Sequence, residues 1–486
     1  MSLYKKLFQQ TAIYGLATVL PRMLSFLLVR LYTDVLPSTD EYGEVSIIFS
    51  WIVLFNVILA YGMETAFFRF YNSDDAKKVE RTSTISLLWS SIGFLAVALL
   101  LRQHLADWAG INVRYITYTI WILVLDALVI IPFSKLRADG KPMVYSAIKI
   151  GNVAVNLGLN LFFLLWLPNL AASYRGSLIA EMYIPNFEIG YIFISNVIAS
   201  LLTLIVLLPH YLKTKWKFDK ALWLKMMRYA LPVLVAGIAF SINETFDRIL
   251  LEYILPEDTA KGEVGVYSAC YKLALFMTLY ATAFRLGIEP FFFSHAKEAN
   301  AKQTYAMITK YFVVFGSVIL IVVVVFADIL KLIFIDNSSY WEGMKIVPLI
   351  IIANFFLGIY HNLSVWYKLS DQTKMGAYIS IIGAVVTLAL NFILIPIYSY
   401  MGSAIATVSA YGCMMVLSYT MGKKHYPIPY DMKKIGGYLG LSITLSLVYF
   451  YYFRENYWVG FLFIAVYAVF LYLNEKATLL RIIKQR

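Results

Sequence analysis

Charged residues make up only 14% of this 486-residue chain, against 60% hydrophobic residues. Soluble domains run about 25% charged and about 45–50% apolar, so a water-facing surface over the whole chain is excluded. Cysteine is nearly absent: Cys270 and Cys413 are the only two, and both fall in apolar stretches. Neither a disulfide framework nor a cysteine-based metal site is expected. Histidine is sparse too, and His104, His210, His295, His361 and His425 are scattered; four read as interfacial, and His361 is left without a role. No Asp-x-Asp, His-x-x-x-Asp or glycine-rich phosphate loop stands out, and the loops are short. A catalytic acid/base pair or metal-bound carboxylates at a water-accessible surface are therefore not expected. The chain does not read as an enzyme, and no cofactor is implied.

What the sequence has in quantity is apolar runs of spanning length. A membrane helix needs about 20 mostly apolar residues, and the mean hydropathy is +0.71. Fourteen spans are expected, the first six at 9–33, 44–66, 84–102, 115–134, 144–168 and 188–210. The other eight are 227–253, 263–286, 308–335, 344–366, 376–397, 402–421, 434–453 and 457–474. Pro21 and Arg22 interrupt the first apolar run, which favours a retained helix over a signal peptide. The fold class is an all-α polytopic membrane protein.

Basic residues accumulate on the cytoplasmic side of membrane proteins. With the N-terminus inside, about 28 of the 41 Lys and Arg fall in inner segments, so both termini are expected in the cytoplasm. The net charge of +12 then reflects loops lying against anionic headgroups, and nucleic acid is not an expected partner. The longest basic loop, Leu212–Arg228, alternates Trp and Leu with lysines. It reads equally as an amphipathic linker on the membrane surface or as an ordinary basic loop.

The segments on either side of that loop echo each other. Leu36-Pro37 and Gly43-Glu44-Val45 recur as Leu255-Pro256 and Gly262-Glu263-Val264, at an offset of 219. Gly62, Glu64 and Phe67-Phe68 recur as Gly287, Glu289 and Phe292-Phe293, offset 225. Lys135, Lys141 and Tyr145 recur as Lys368, Lys374 and Tyr378, offset 233. Six spans per repeat make both repeats enter the membrane in the same direction, a transporter plan with the substrate site between halves. The expected division is 1–211 (spans one to six), 212–226 (linker), 227–421 (spans seven to twelve) and 422–486 (an extra helix pair and tail).

Ionisable groups inside spans cost about 2.5–3.5 kcal/mol each at mid-bilayer. Arg22 and Arg30 lie in span one, Asp126 in four, Lys149 in five, Glu244, Asp247 and Arg248 in seven, and Lys272 and Arg285 in eight. Some admit structural explanations, evenly matched with functional ones: Lys149 snorkels to the inner interface, Arg285 and Glu289 neutralise each other at i, i+4, and the isolated Asp126 serves as a counter-ion for a neighbouring Arg. Glu244, Asp247 and Arg248 share one helical face, and two acids with one base require water, a cation or other basic groups. Lys149, Asn152, Asn156 and Asn160 form a second polar stripe. It reads either as interhelical hydrogen bonding or as a cavity wall, and four polar positions on one face favour the wall. Lys272 and Arg285 line one site only if their helix bends. The deep bases at least match the deep acids in number, which suits an anion such as a pyrophosphate. The 16% aromatic content suits sugar stacking and membrane belts alike.

Several of these segments resemble a known family. Asn391-Phe-Ile-Leu-Ile-Pro396 with Gly402-Ser-Ala-Ile-Ala-Thr407 is similar to a signature of Wzx-type polysaccharide flippases. So are Asp247-Arg248 leading to Gly262-Glu263-Val264-Gly265-Val266-Tyr267-Ser268, Lys272 just after it, and the loop Lys368–Lys374. The resemblance covers about residues 1–421 and implies the multidrug/oligosaccharidyl-lipid/polysaccharide exporter superfamily. It implies two six-helix lobes in a V and passage of an undecaprenyl-pyrophosphate-linked oligosaccharide headgroup through a cationic cavity, for surface polysaccharide such as O-antigen. The residues expected to hold pyrophosphate and sugar are Arg22, Arg30, Arg248, Lys272, Arg285, Lys149, Asn156 and Asn160. Glu244 and Asp247 are the candidates for H+ or Na+ coupling. Partners on this reading are the lipid-linked oligosaccharide, membrane lipids, a polysaccharide polymerase and glycosyltransferases. A cation-coupled multidrug antiporter and a lipid II flippase are the alternatives within the superfamily, the latter also having fourteen spans.

Overall fold

The computed structural model describes residues 19–24, 26–71, 73–174, 176–294, 300–370 and 372–484. Among them there is no strand, and thirteen helices are long and apolar enough to cross a membrane. The first expected span, 9–33, lies partly outside the described residues; residues 19–24 and 26–35 of that region are helical. Lys5, Lys6 and His295 also lie outside them, as does the side chain of Glu289. The chain is a multi-pass all-α membrane protein.

The described residues form two compact units, Met1–Gly265 and Val266–Arg486. The first contains α1 (Thr39–Ala60), α2 (Met63–Tyr71), α3 (Ala76–Leu100), α4 (Val113–Ala138), α5 (Pro142–Leu161), α6 (Glu188–Lys213) and α7 (Lys220–Ile254). The boundary runs through α8 (Glu257–Tyr271), so α7 packs as part of the first unit. Within that unit α6 packs on α4 and α5, α3 on α4, and α7 on α1.

Short polar residues set the helix starts. Asp75 accepts from the amides of Lys77 and Lys78 at the head of α3, and Asp219 from Leu222 at the head of α7. Each satisfies amides that have no partner inside the helix. Span two is broken by Tyr61 and Gly62, with φ of 33° and 71°. A side chain at Gly62 would place Cβ 2.4 Å from the Ala230 carbonyl oxygen, so this turn admits the backbone of α7.

The two copies of Gly-Glu-Val meet within the first unit. A Cβ on Gly43 would lie 1.8 Å from the Lys261 carbonyl oxygen, and one on Gly265 would lie 2.0 Å from that of Thr39. Helix starts cross here at backbone contact, the close approach that small residues permit in membranes. Lys261 Nζ, 3.2 Å from Glu44 Oε2, also donates to the Gly110 carbonyl at 3.1 Å.

The second unit contains α9 (Leu275–Ser294), α10 (Ala301–Val325), α11 (Ala327–Phe334), α12 (Val347–Leu363), α13 (Thr373–Tyr398) and α14 (Tyr400–His425). The last pair is α15 (Met432–Tyr452) and α16 (Tyr457–Lys484). Here α14 packs on α12 and α13, while α10 packs on α12, α15 and α16. The extra helix pair is therefore part of this unit's packing. Two ion networks join it to α10 and α11. Glu475 receives Lys310 Nζ at 2.8 Å, Lys434 Nζ at 3.3 Å and the Tyr438 hydroxyl at 2.7 Å. Asp328 receives Arg454 Nε and Nη2 at 2.9 and 2.6 Å, and Lys331 Nζ lies 2.7 Å away.

Candidate functional site

The polar residues expected inside the spans fall into two local groups in the first unit and one in the second. Arg22 and Arg30 both expose their side chains. Arg30 is paired one helical turn on with Asp34, its Nε 3.4 Å from Asp34 Oδ2. Two residues beyond Arg30, Tyr32 turns inward, and its hydroxyl donates to Asn160 Oδ1 at 3.0 Å. Asn160 Nδ2 in turn donates to the Asn156 carbonyl and Oδ1 at 2.8 and 2.9 Å. Asn160 is fully buried, and its amide joins the first helix to α5. Asn152 makes a similar link, donating to Thr203 Oγ1 of α6 at 2.9 Å. The polar stripe on α5 is thus used for helix joining at Asn152 and Asn160, while Asn156 remains half-buried. Lys149 caps the stripe with its ammonium 4.4 Å from the centre of the Phe133 ring.

Asp126 of α4 has partners that sequence spacing did not indicate. Ser200 of α6 donates to its Oδ1 at 2.9 Å, and Asn56 of α1 and Lys149 of α5 are near enough to favour its charged form. Four helices therefore converge on one carboxylate. Asn56 and Ser200 are ordinary polar residues in apolar runs, so only their depth in the spans signalled a role.

On α7 the face carrying Glu244, Asp247 and Arg248 is half to fully buried. Arg248 Nη1 donates to Asp247 Oδ1 at 2.9 Å and to the Glu244 carbonyl at 3.3 Å. The base therefore pairs with its immediate neighbour in sequence, and Asp247 also accepts from the Arg248 amide.

In the second unit the expected helix over Lys272 and Arg285 is interrupted by a short 3-10 turn. Residues Lys272–Ala274 form a 3-10 turn between α8 and α9, which shifts the phase of Lys272 against Arg285. Lys272 is exposed. Arg285 sits in a small pocket with Ile288, His361, Asn362 and Lys368. His361, without a role from sequence, thus has Arg285 and Lys368 as its charged neighbours.

This geometry holds cations at membrane depth on both units. Comparison with curated protein sequences gives no match. The fold is similar to the lipid II flippase MurJ in an inward closed conformation, at 15% identity and a TM-score of 0.73, covering 95% of this chain and 99% of that one. It is also similar to the MATE multidrug transporter DinF-BH (15% identity, TM-score 0.65, 90% and 97% covered). An inward-facing multidrug resistance MATE family transporter of the MOP superfamily gives 13% identity and a TM-score of 0.64, with 88% and 95% covered. At the sequence level, residues 7–284 match the profile of the family described as polysaccharide biosynthesis protein, more than half of the chain. The chain belongs to that polysaccharide biosynthesis protein family, built on the fold shared by MurJ and the MATE transporters.

Proposed function

We propose that this protein flips an undecaprenyl-pyrophosphate-linked oligosaccharide from the inner to the outer leaflet of the cytoplasmic membrane by alternating access, for surface polysaccharide synthesis. Both termini lie in the cytoplasm on this reading. The observation that carries it is the exposure of Arg22 and Arg30 on the helical residues 19–24 and 26–35, which the sequence reading assigns to the first span. An arginine turned toward acyl chains at mid-bilayer costs about 2.5–3.5 kcal/mol or more, so these guanidiniums face water or an anionic headgroup. Guanidinium forks suit phosphate oxygens geometrically as well as by charge. Arg248, on the same unit, sets the surrounding field; on the second unit Lys272, also exposed, and Arg285 are that unit's own cations for an anionic headgroup. Asn156 and Lys149 serve the sugar.

Moving one charge through the membrane potential is worth about 2.3 kcal/mol per 100 mV. A headgroup with two negative charges therefore gains about 4.6 kcal/mol per 100 mV on leaving a negative interior. Glu244 and Asp247 are the residues for any added H+ or Na+ coupling. Glycosyltransferases would supply the substrate, and a polymerase would consume it.

The test is sided detection of lipid-linked glycan in a deletion strain complemented with this chain or with the Arg22→Ala and Arg30→Ala variants. The expected result is inward-facing glycan accumulating in the deletion strain and in both variants. Undiminished outward-facing glycan in the deletion strain overturns the reading. A second reading, lipid II transport, is favoured by the fold similarity to MurJ across 95% of this chain. Rescue of a strain depleted of its lipid II flippase, without any glycan defect in the deletion strain, would select it. Loss of drug export with intact glycan would select an antiporter.

A further inference from the structure

The first unit carries a cleft of about 560 Å³ that none of the residues discussed above as substrate or coupling candidates lines. That volume lies in the roughly 300–1,000 Å³ range of small-molecule sites. Its walls are Tyr61 from the turn after α1, Ile85, Trp89 and Ser90 of α3, Phe218 of the linker and Trp223 of α7. Ser86 holds the walls together: Trp223 Nε1 donates to its hydroxyl at 2.8 Å, and the Tyr61 hydroxyl is hydrogen-bonded to it at 2.7 Å. The polar atoms at the floor are thus satisfied, and an apolar aromatic surface faces outward. Trp89 is 65% exposed and Phe218 44% exposed.

The position of the cleft along α3 defines its surroundings. The charges of α3 end at Arg81, and no charged residue follows until Arg102. Ile85–Ser90 therefore occupy the first turns of the uncharged stretch, where the headgroup layer gives way to hydrocarbon and where Trp and Tyr concentrate. The opposite wall begins in a cationic segment. Lys213, Lys215, Lys217 and Lys220 are all exposed, and none has an ion-pair partner among the described residues. Asp219, the one acid of Leu212–Arg228, is engaged in capping α7. Unpaired cations beside an apolar slot at the membrane interface complement a lipid with one negative headgroup charge.

We propose that this cleft is a binding site for an anionic phospholipid, one acyl chain lying between Trp89 and Trp223 and the phosphate resting on Lys215, Lys217 and Lys220. The site fastens the linker to α3 in a way that depends on lipid composition. Native mass spectrometry of the full chain in detergent, titrated with phosphatidylglycerol or phosphatidylcholine, tests it. The expected result is one phosphatidylglycerol retained in preference to phosphatidylcholine. Replacing Lys215, Lys217 and Lys220 by Gln, all on an exposed segment, should weaken retention by about fivefold for each lysine removed. Ser90→Trp, which fills the cleft, should abolish the retained lipid while the lysines remain. Equal retention of the two lipids, or unchanged retention in either variant, overturns the proposal. So does displacement by undecaprenyl phosphate at a lower concentration than phosphatidylglycerol, which would make the cleft a substrate-chain site.

Discussion

Glu475 is expected to anchor the last two helices. Its side chain is 8% exposed and its main partner Lys310 is 15% exposed, so neither charge is well hydrated. Lys434 and Tyr438 add two further contacts from α15, which makes one carboxylate the junction of α10, α15 and α16. Removing a single member of a buried ion pair strands the other and costs about 3–5 kcal/mol. Replacing both by apolar residues of similar size is often close to neutral. Glu475→Leu, which strands Lys310, should therefore destabilise by about 3 kcal/mol. Lys310→Met should cost less because Lys434 and Tyr438 still hold the carboxylate, and the double variant should recover most of the Glu475→Leu loss. The non-additivity is the signature, because residues in one network couple strongly. Thermal unfolding of the purified variants, followed by loss of the monodisperse species, measures it. Glu475→Leu costing no more than the roughly 0–1 kcal/mol of an exposed pair, or a double variant equal to the sum of the singles, would refute the argument.

Gly43→Ala should destabilise by about 1–3 kcal/mol, as overpacking does, because its Cβ meets the Lys261 carbonyl at 1.8 Å; unchanged thermal stability would refute the contact. Asp328, in α11 past the end of the spanning helix α10, is partly desolvated, which opposes ionisation, but Arg454 and Lys331 prevail and hold its carboxyl below the usual range. The folded state then binds fewer protons than the unfolded one, so stability from this group is complete above the ordinary carboxylate pKa and is lost as pH falls through the lowered value. Asp328→Asn should flatten that acid limb of the stability–pH curve, and an unchanged limb would count against the network. Tyr32→Phe should lower stability by about 0.6 kcal/mol, the mean for a hydrogen bond between membrane helices, and unchanged stability in the same assay would show that the link to Asn160 contributes nothing.

The spans were legible because hydrocarbon imposes one strong constraint on length and polarity, and that constraint is written in the apolar runs. Fold class followed from it directly. Contacts between polar groups were less legible, for a reason that Asn160 and Glu475 illustrate. Helical spacing says which residues share a face, yet not which helix that face meets. The stripe Lys149–Asn160 was visible as a stripe, but its use in joining the first helix through Tyr32 depends on a neighbour 128 positions away. Glu475 followed the last apolar run and read as the start of an aqueous tail, whereas α16 continues to Lys484 and carries the carboxylate inward. Arg248 shows the opposite case. Its pairing with Asp247 is local, and the sequence held both members side by side.

The Gly-Glu-Val repeat shows what internal similarity carries beyond a count of spans. Its equivalent glycines both stand at close approaches: a Cβ on Gly43 would meet the Lys261 carbonyl, and one on Gly262 would lie 2.8 Å from Asp40 Oδ1. Each copy of the motif therefore supplies part of the same crossing. The charges are not repeated in the same way. Glu44 pairs with Lys261, whereas the position equivalent to Lys261 in the first copy is Tyr42, so the ion pair has no symmetric counterpart. Shape is the repeated element, and charge is the element that diverged. That order is expected where helices associate in lipid, because close packing between small residues does the joining there. A partly exposed pair such as Lys261–Glu44 adds little to it.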